Sequence, residues 1–241
     1  MILLEKTEVT GFDHAIRGMR NPMNSWDKSD SGICKGGDNG IGCVNCASAY
    51  LTPGESTCGH PYDHSFQIGT NDHELMMKLV KGGPVHAKFR RMIAVYVDIT
   101  APLYWWKEFD TYKVGTVANS CSTMHKIHDK RFEMSDFSTD HLLPASFKCL
   151  GFTVKTLNEY RDLYLEERDN KEYWWQMIQL LPSSYDQKRT IMLNYEVLAG
   201  IYEHRKNHKL DEWKEFCKWI GLLPWSKIIT CNSIKEDKNE H

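Results

Sequence analysis

Apolar and polar residues alternate across residues 91–100, with Ile93, Val95, Val97 and Ile99 on one side of the alternation. That period of two predicts a strand. Ala101-Pro102 follows, and because proline suits the first helical turn, a helix is expected over 103–110. Upstream, Leu75, Met76, Leu79 and Val80 fall at helical spacing. With Thr70 or Asn71 as cap and Glu74 near the capping-box position, they predict a helix over 72–81, ended by Gly82-Gly83-Pro84. Residues 2–9 read as a further strand, followed by a short helical or turn segment around 14–20 that Asn21-Pro22 breaks. Residues 111–128 read as loop. Amphipathic helices are expected over 155–168 and 172–181, on either side of a charged break and with Leu181-Pro182 as the stop. Ser183 and Ser184 then open a longer helix to about Tyr202, with Ile191, Tyr195, Leu198 and Tyr202 on one stripe. Residues 210–222 form the last helix, before Pro224.

Strands interleaved with helices, with no internal repeat or long linker, describe one domain over 1–232. An irregular insert rich in Cys, Gly, Asp and Asn spans about 31–66, and 233–241 is a charged tail. The chain has 241 residues, 41% of them hydrophobic and 26% charged, which is ordinary for a globular protein. A net charge of -2 exerts no global pull toward nucleic acid or an anionic membrane. No apolar run approaches the roughly 20 residues that cross a bilayer, and residues 1–18 lack the basic and apolar regions of a signal peptide. The expectation is a cytoplasmic protein with reduced thiols.

Polar groups concentrate after the central strand. His86 and Lys88 precede it; Lys107 and Lys113 follow on and after the next helix; Thr116, Asn119, Ser120, Ser122, Thr123 and His125 fill the loop. Cations beside hydroxyls and an amide suit a phosphate, ribose or ring-amide ligand. The same residues can instead cap turns on a solvated face. Asn194, Arg205 and His208 lie near one end of the long downstream helix, where cations also compensate the helix dipole.

The order of these segments resembles the flavin-dependent thymidylate synthases. That family carries a His on a turn, a strand, Ala-Pro and a helix. It continues with an Arg-Gln pair and a loop of pattern Arg-His-Arg-x-x-Ser-x-Asn-Glu-x-Ser-x-Arg-Tyr, then a Leu-Pro, an Asn-bearing helix and an Arg at a helix end. Here Lys107-Glu108 stands for Arg-Gln, Thr111-Tyr112-Lys113 for Arg-His-Arg, Thr116 for the first Ser, and Ser122 for the second after a one-residue shift. Leu181-Pro182, Asn194 and Arg205 match in order, so the likeness covers roughly 70–220. Met124-His125 replaces the closing Arg-Tyr, and Lys cannot reproduce the bidentate fork of Arg.

The resemblance implies an α+β fold, an antiparallel sheet with packed helices. It also implies FAD-dependent methylation of dUMP to dTMP with methylenetetrahydrofolate and NADPH, no obligatory protein nucleophile, and a homotetramer with sites between subunits. By position, Lys107, Lys113, Asn119, Asn194 and Arg205 would hold flavin, and His86 would approach the isoalloxazine or the folate. Ser122, with Arg189 or Lys188, would hold the nucleotide. The lost arginines leave open a descendant that keeps the fold and binds flavin or nucleotide without synthase activity.

The insert carries separate chemistry. Cys43 and Cys46 form a C-x2-C pair, and Cys34 and Cys58, with His60 and His64 close by, complete a set from which structural zinc could draw four ligands. A zinc-stabilised binding module is therefore the alternative to an enzyme. The competing reading is a loop with incidental thiols.

Overall fold

A computed structural model of the chain describes residues 1–33 and 66–231. It is a mixed α+β fold, with an antiparallel sheet and packed helices. The main strands are β1 (Leu3–Thr10), β4 (Ala94–Pro102), β5 (Val117–Ser120) and β6 (Asp186–Asn194), in the sheet order β1-β4-β6-β5. β2 (Gly32–Ile33) and β3 (Phe66–Gln67) pair antiparallel in a separate ribbon. The helices are α1 (Phe12–Arg20), α2 (Thr70–Lys81), α3 (Leu103–Phe109), α4 (Pro144–Glu166), α5 (Lys171–Leu180), α6 (Tyr195–Arg205), α7 (Asp211–Leu222) and α8 (Lys227–Thr230). The described residues contain no helix long and apolar enough to cross a membrane.

The strands expected at 2–9 and 91–100 and the helices expected at 103–110, 172–181 and 210–222 form within a few residues of those bounds. Three expectations change. The long helix expected from Ser183 to Tyr202 is instead β6 followed by α6. Gln187, Ile191 and Leu193 are buried on alternate positions of β6, so the period is two until Asn194 and becomes helical only after it. The loop at 111–128 contains β5, a fully exposed strand with little apolar content to announce it. The helix expected from residue 155 begins at Pro144, eleven positions earlier.

The chain divides into two compact units. The first comprises Met1–Thr7, Tyr96–Met192 and Asn207–Phe216; the second comprises Glu8–Val95, Leu193–Lys206 and Cys217–His241. In the first unit, Trp105, Trp106, Phe109, Trp213 and Phe216 form an aromatic cluster, with Trp105 centred 4.7 Å from Trp213 and 5.0 Å from Phe109. The first of these is tilted and the second stacked, and such contacts add to the burial of large apolar rings. A second cluster joins Ile127, Phe132, Phe137, Leu150, Val154, Leu157 and Met177, which seats α4 against α5. Asn158 closes it by bonding Phe132 through both backbone groups, at 2.9 Å each.

The second unit packs α1, α6 and the 3-10 turn Lys88–Met92 together, with α8 against α2 and α6. Gly11 lets α1 start here: its φ is 95°, and a Cβ would lie 2.1 Å from the Met92 carbonyl oxygen. Arg20 and Asp72 form a buried ion pair at 2.6 Å, 4% and 0% exposed. Ser29 and Ser31 also donate to Asp72, at 2.7 and 2.6 Å. Neither Thr70 nor Asn71 caps α2; instead Asp30 reaches in from 40 residues upstream and accepts from the backbone of Asn71 and Asp72. A carboxylate there satisfies orphan N–H groups and suits the helix dipole.

Candidate functional site

The polar segment in the first unit is built on the β5–β6 ladder. Asn119 pairs with Thr190 and Ser120 with Arg189, and the Cys121 N–H extends the ladder by donating to the Lys188 carbonyl at 2.9 Å. Because side chains alternate across a strand, Asn119 and Thr190 share one face while Ser120 and Arg189 share the other.

On the Arg189 face the guanidinium is held from three directions. Its Nε donates to Gln187 Oε1 at 2.9 Å, its Nη1 donates to Asp110 Oδ1 at 2.7 Å, and its Cζ lies 4.1 Å from the centre of the Trp106 ring. Trp106 Nε1 in turn donates to the Gln187 carbonyl, and Gln187 Nε2 donates to the Cys121 carbonyl at 2.7 Å. Those contacts use Nε and Nη1, not Nη2. The sequence reading assigned Arg189 a nucleotide role but missed Gln187, Asp110 and Trp106. Only recognition of β6 as a strand would have put Gln187 and Arg189 on one face.

On the other face, Thr190 donates to Asp98 at 2.7 Å, and Lys188 bridges Glu5 and Asp98 at 3.1 and 3.4 Å. The Thr190 hydrogen bond, followed by Lys188 and Lys6, holds the Asp98 carboxyl below its usual range. Both cations are thus paired with carboxylates, Lys188 with Glu5 and Asp98 and Arg189 with Asp110.

The turn from α3 into β5 supplies the free donors. Lys107 is exposed on α3 and Lys113 on the turn, and among the described residues neither meets a carboxylate. Thr116 lies between Lys113, whose carbonyl accepts its N–H at 3.3 Å, and Asn119 on the exposed strand. Its hydroxyl is buried with no hydrogen-bond partner among the described residues. A buried, unsatisfied hydroxyl is rare in a folded protein and calls for an explanation. Ser122 plays a different part: its Oγ accepts from the backbone of Met124 and His125, at 3.2 and 2.9 Å, and closes the turn after β5.

The remaining expected residues belong to the second unit. His86 lies on an exposed turn after α2, its ring against Gly82. Asn194 lies not within a helix but at its start: its side chain accepts from Val197 N–H at 3.0 Å and caps α6. Arg205 is the last residue of α6 and is partly buried. Buried Arg90 faces Glu196 Oε2 through Nη1 at 3.8 Å, and among the described residues neither Arg90 Nε nor Glu196 Oε2 makes a hydrogen bond, a pair for which the sequence held no signal.

Cys34, Cys43, Cys46 and Cys58, with His60 and His64, lie outside the described residues. Among the described residues no group of three His, Cys, Asp or Glu side chains gathers to hold a metal ion.

No protein-family model and no curated protein matches this chain. Solved structures do match its fold. Thymidylate synthase X from Helicobacter pylori, with FAD and dUMP, aligns over 97% of this chain and 98% of its own at 15% identity, with a TM-score of 0.58. A second structure of the flavin-dependent thymidylate synthase from that organism, complexed with FAD and dUMP, aligns over 95% and 98% at 16% identity and a TM-score of 0.59. The UMP/dUMP methylase PolB from Streptomyces cacaoi, bound with 5-Br dUMP, aligns over 97% and 96% at 11% identity and a TM-score of 0.55.

Proposed function

We propose that this chain is a flavin-dependent enzyme that methylates a uridine monophosphate, with dUMP as the leading substrate and dTMP as the product. The observation that carries the reading is the orphaned hydroxyl of Thr116 between Lys113 and Asn119, in a chain whose whole length follows the fold of nucleotide-methylating proteins complexed with FAD or a dUMP compound. A polar turn with free cations and an unsatisfied hydroxyl fits a phosphate-bearing cofactor. Lys107 and Lys113 would neutralise the FAD diphosphate, and Asn119 and Thr116 would orient it by hydrogen bonds; the family resemblance gives His86 and Arg205 cofactor roles as well, in sites shared between copies of the chain. Asn194 would act on the cofactor by starting α6. Arg189, held over Trp106, would meet the nucleotide phosphate, with Ser122 shaping the adjoining turn.

Bound FAD, recharged by NADPH, would supply the hydride that turns a methylenetetrahydrofolate-derived carbon into a methyl group. The chain itself would bind, orient and exclude water, and no side-chain nucleophile is required. A homotetramer with shared sites and a cytoplasmic location belong to the same reading.

A second reading has its own support. Arg189 is already neutralised by Asp110, and the Arg-His-Arg positions hold Thr111, Tyr112 and Lys113. A protein that retains nucleotide or flavin binding without synthase activity accounts for both. The visible absorbance spectrum of the purified protein, desalted after addition of FAD, separates the possibilities. Retained flavin with dUMP-dependent NADPH oxidation supports the synthase, whereas retained flavin without oxidation supports the binding protein. No retained flavin, even from excess FAD, overturns both.

A further inference from the structure

Helix α2 turns one stripe toward a cavity in the second unit. Asn71, Glu74, Leu75 and Lys78 fall at the spacing of a single helix face, and all four line the cavity. The facing wall is the segment that leaves α1, where Met23, Ser25 and Lys28 line the same space, with Arg20 beneath the surface at 4% exposure. The cavity measures about 640 Å³, a size typical of small-molecule sites and far more than a bare inorganic ion fills.

The wall opposite α2 is ordered without a ligand. Arg20 donates to Asp72, and also to the Ser25 and Lys28 carbonyls, at 3.1 Å each, so the buried ion pair anchors this wall at two points. Trp26 Nε1 and the Asn24 N–H both donate to Asn21, at 2.8 and 3.1 Å, and close the turn between. A preformed wall lowers the ordering cost of binding. Asp72 neutralises Arg20, and Asp30 accepts from the backbone N–H groups of Asn71 and Asp72 at the start of α2. The attraction for an anion therefore falls to Lys28 and Lys78. Both are exposed, and among the described residues neither meets a carboxylate. Glu74 is the one acidic side chain in the lining, and Met23 and Leu75 supply its apolar surface.

We propose that this cavity binds an organic phosphomonoester of nucleoside monophosphate size. Lys28 and Lys78 take the phosphate, with the Asn71 amide as a further donor. Met23 and Leu75 cover an apolar ring face, and Glu74 accepts from a hydroxyl or amino group of the ligand. The inference stands apart from the flavin and dUMP reading, since no lining residue is among those given to FAD or dUMP.

Isothermal titration calorimetry of the full chain with AMP, CMP and GMP tests it, with adenosine and inorganic phosphate as partial probes. At least one nucleotide is expected to bind with a Kd of about 0.1 mM, and both partial probes about tenfold or more weakly. Lys28→Gln with Lys78→Gln is expected to weaken the nucleotide about tenfold, with unchanged circular dichroism because both side chains are exposed, and with FAD retention as in the wild type. A chain that retains no flavin yet binds a nucleotide through these lysines upholds this proposal while overturning the proposed function. The absence of binding by all three nucleotides at about 1 mM overturns the proposal, as does binding that survives the double substitution. So does adenosine or inorganic phosphate binding as tightly as the nucleotide, or a nucleotide that dUMP or FAD displaces, which would assign it to the site of the first unit.

Discussion

Thr116 buries a hydroxyl that no described residue satisfies. Its cost is borne by the folded chain, so a residue of the same shape without the hydroxyl should be tolerated. Thr116→Val is expected to keep or raise stability by up to about 1 kcal/mol, and to weaken FAD or dUMP binding about tenfold. Thermal melting with and without ligand reads both effects, and a variant that binds as tightly as the wild type would detach Thr116 from the site. Asp186 shows the opposite tension. Burial pushes its carboxyl up to about 6, against the help of a hydrogen bond from Ser138 at 2.9 Å, with Asp140 and Glu212 adding negative charge nearby. Tyr104, which donates to Glu212, is pushed up as well, first by burial. The folded value of Asp186 lies above the unfolded one, so its contribution is full in acid and lost as pH rises through about 6. Asp186→Asn is therefore expected to gain about 2 kcal/mol over the wild type well above that pH, after allowance for partial solvent screening, with the gain fading in acid. Urea melts across the pH range check this, and a gain that does not change with pH would exclude titration as its cause.

At the scale of elements, β6 and α6 meet at Asn194, and the change of backbone there is what a side-chain cap stabilises. Asn194→Ala is expected to cost about 1 kcal/mol, whereas Asn194→Ser, which can still accept from Val197 N–H, should cost far less. If FAD affinity falls with Ala and returns with Ser, Asn194 acts on the site through the helix start. If Ser fails to restore affinity while restoring stability, the amide itself touches the cofactor. The α2 start follows the same physics with a different donor set. Sequence reading placed its cap at Thr70 or Asn71 because local spacing is all that a sequence displays. The actual acceptor, Asp30, is remote in the chain and lies just before β2, which pairs with β3 ahead of α2.

At the scale of the molecule, the two compact units each carry a distinctive titrating carboxylate. Asp72 in the second unit is fully buried, which alone would raise its pKa. Hydrogen bonds from Ser31, Ser29 and Arg20 outweigh that and hold it below the usual carboxylate range. Its stabilisation is present above its unfolded pKa and is lost as pH falls through the lowered value, the reverse of Asp186. Asp72→Asn strands Arg20 as a buried cation and is expected to cost about 3–5 kcal/mol at neutral pH, with the deficit narrowing in strong acid. Chemical denaturation of both proteins from neutral to acid pH measures it, and an equal deficit at every pH would assign the loss to packing.

Sequence periodicity alone determined the elements whose patterns are regular and long. Residues 91–100 alternate because one face of β4 is buried, and residues 72–81 and 210–222 repeat at helical spacing because one stripe of each is. It also marked the segment after the central strand as a concentration of polar groups, since side-chain chemistry is legible without coordinates. Tertiary structure decided the rest. Residues 183–202 carry a stripe that fits a helix, yet the first half pairs with β5 and becomes a strand, because hydrogen bonds to a neighbour outweigh local preference. The immobilisation of Arg189 by Asp110, Gln187 and Trp106, and the burial of Asp72 against Arg20, join residues far apart in the chain. Such contacts depend on which surfaces meet, and that information exists only after the chain has folded.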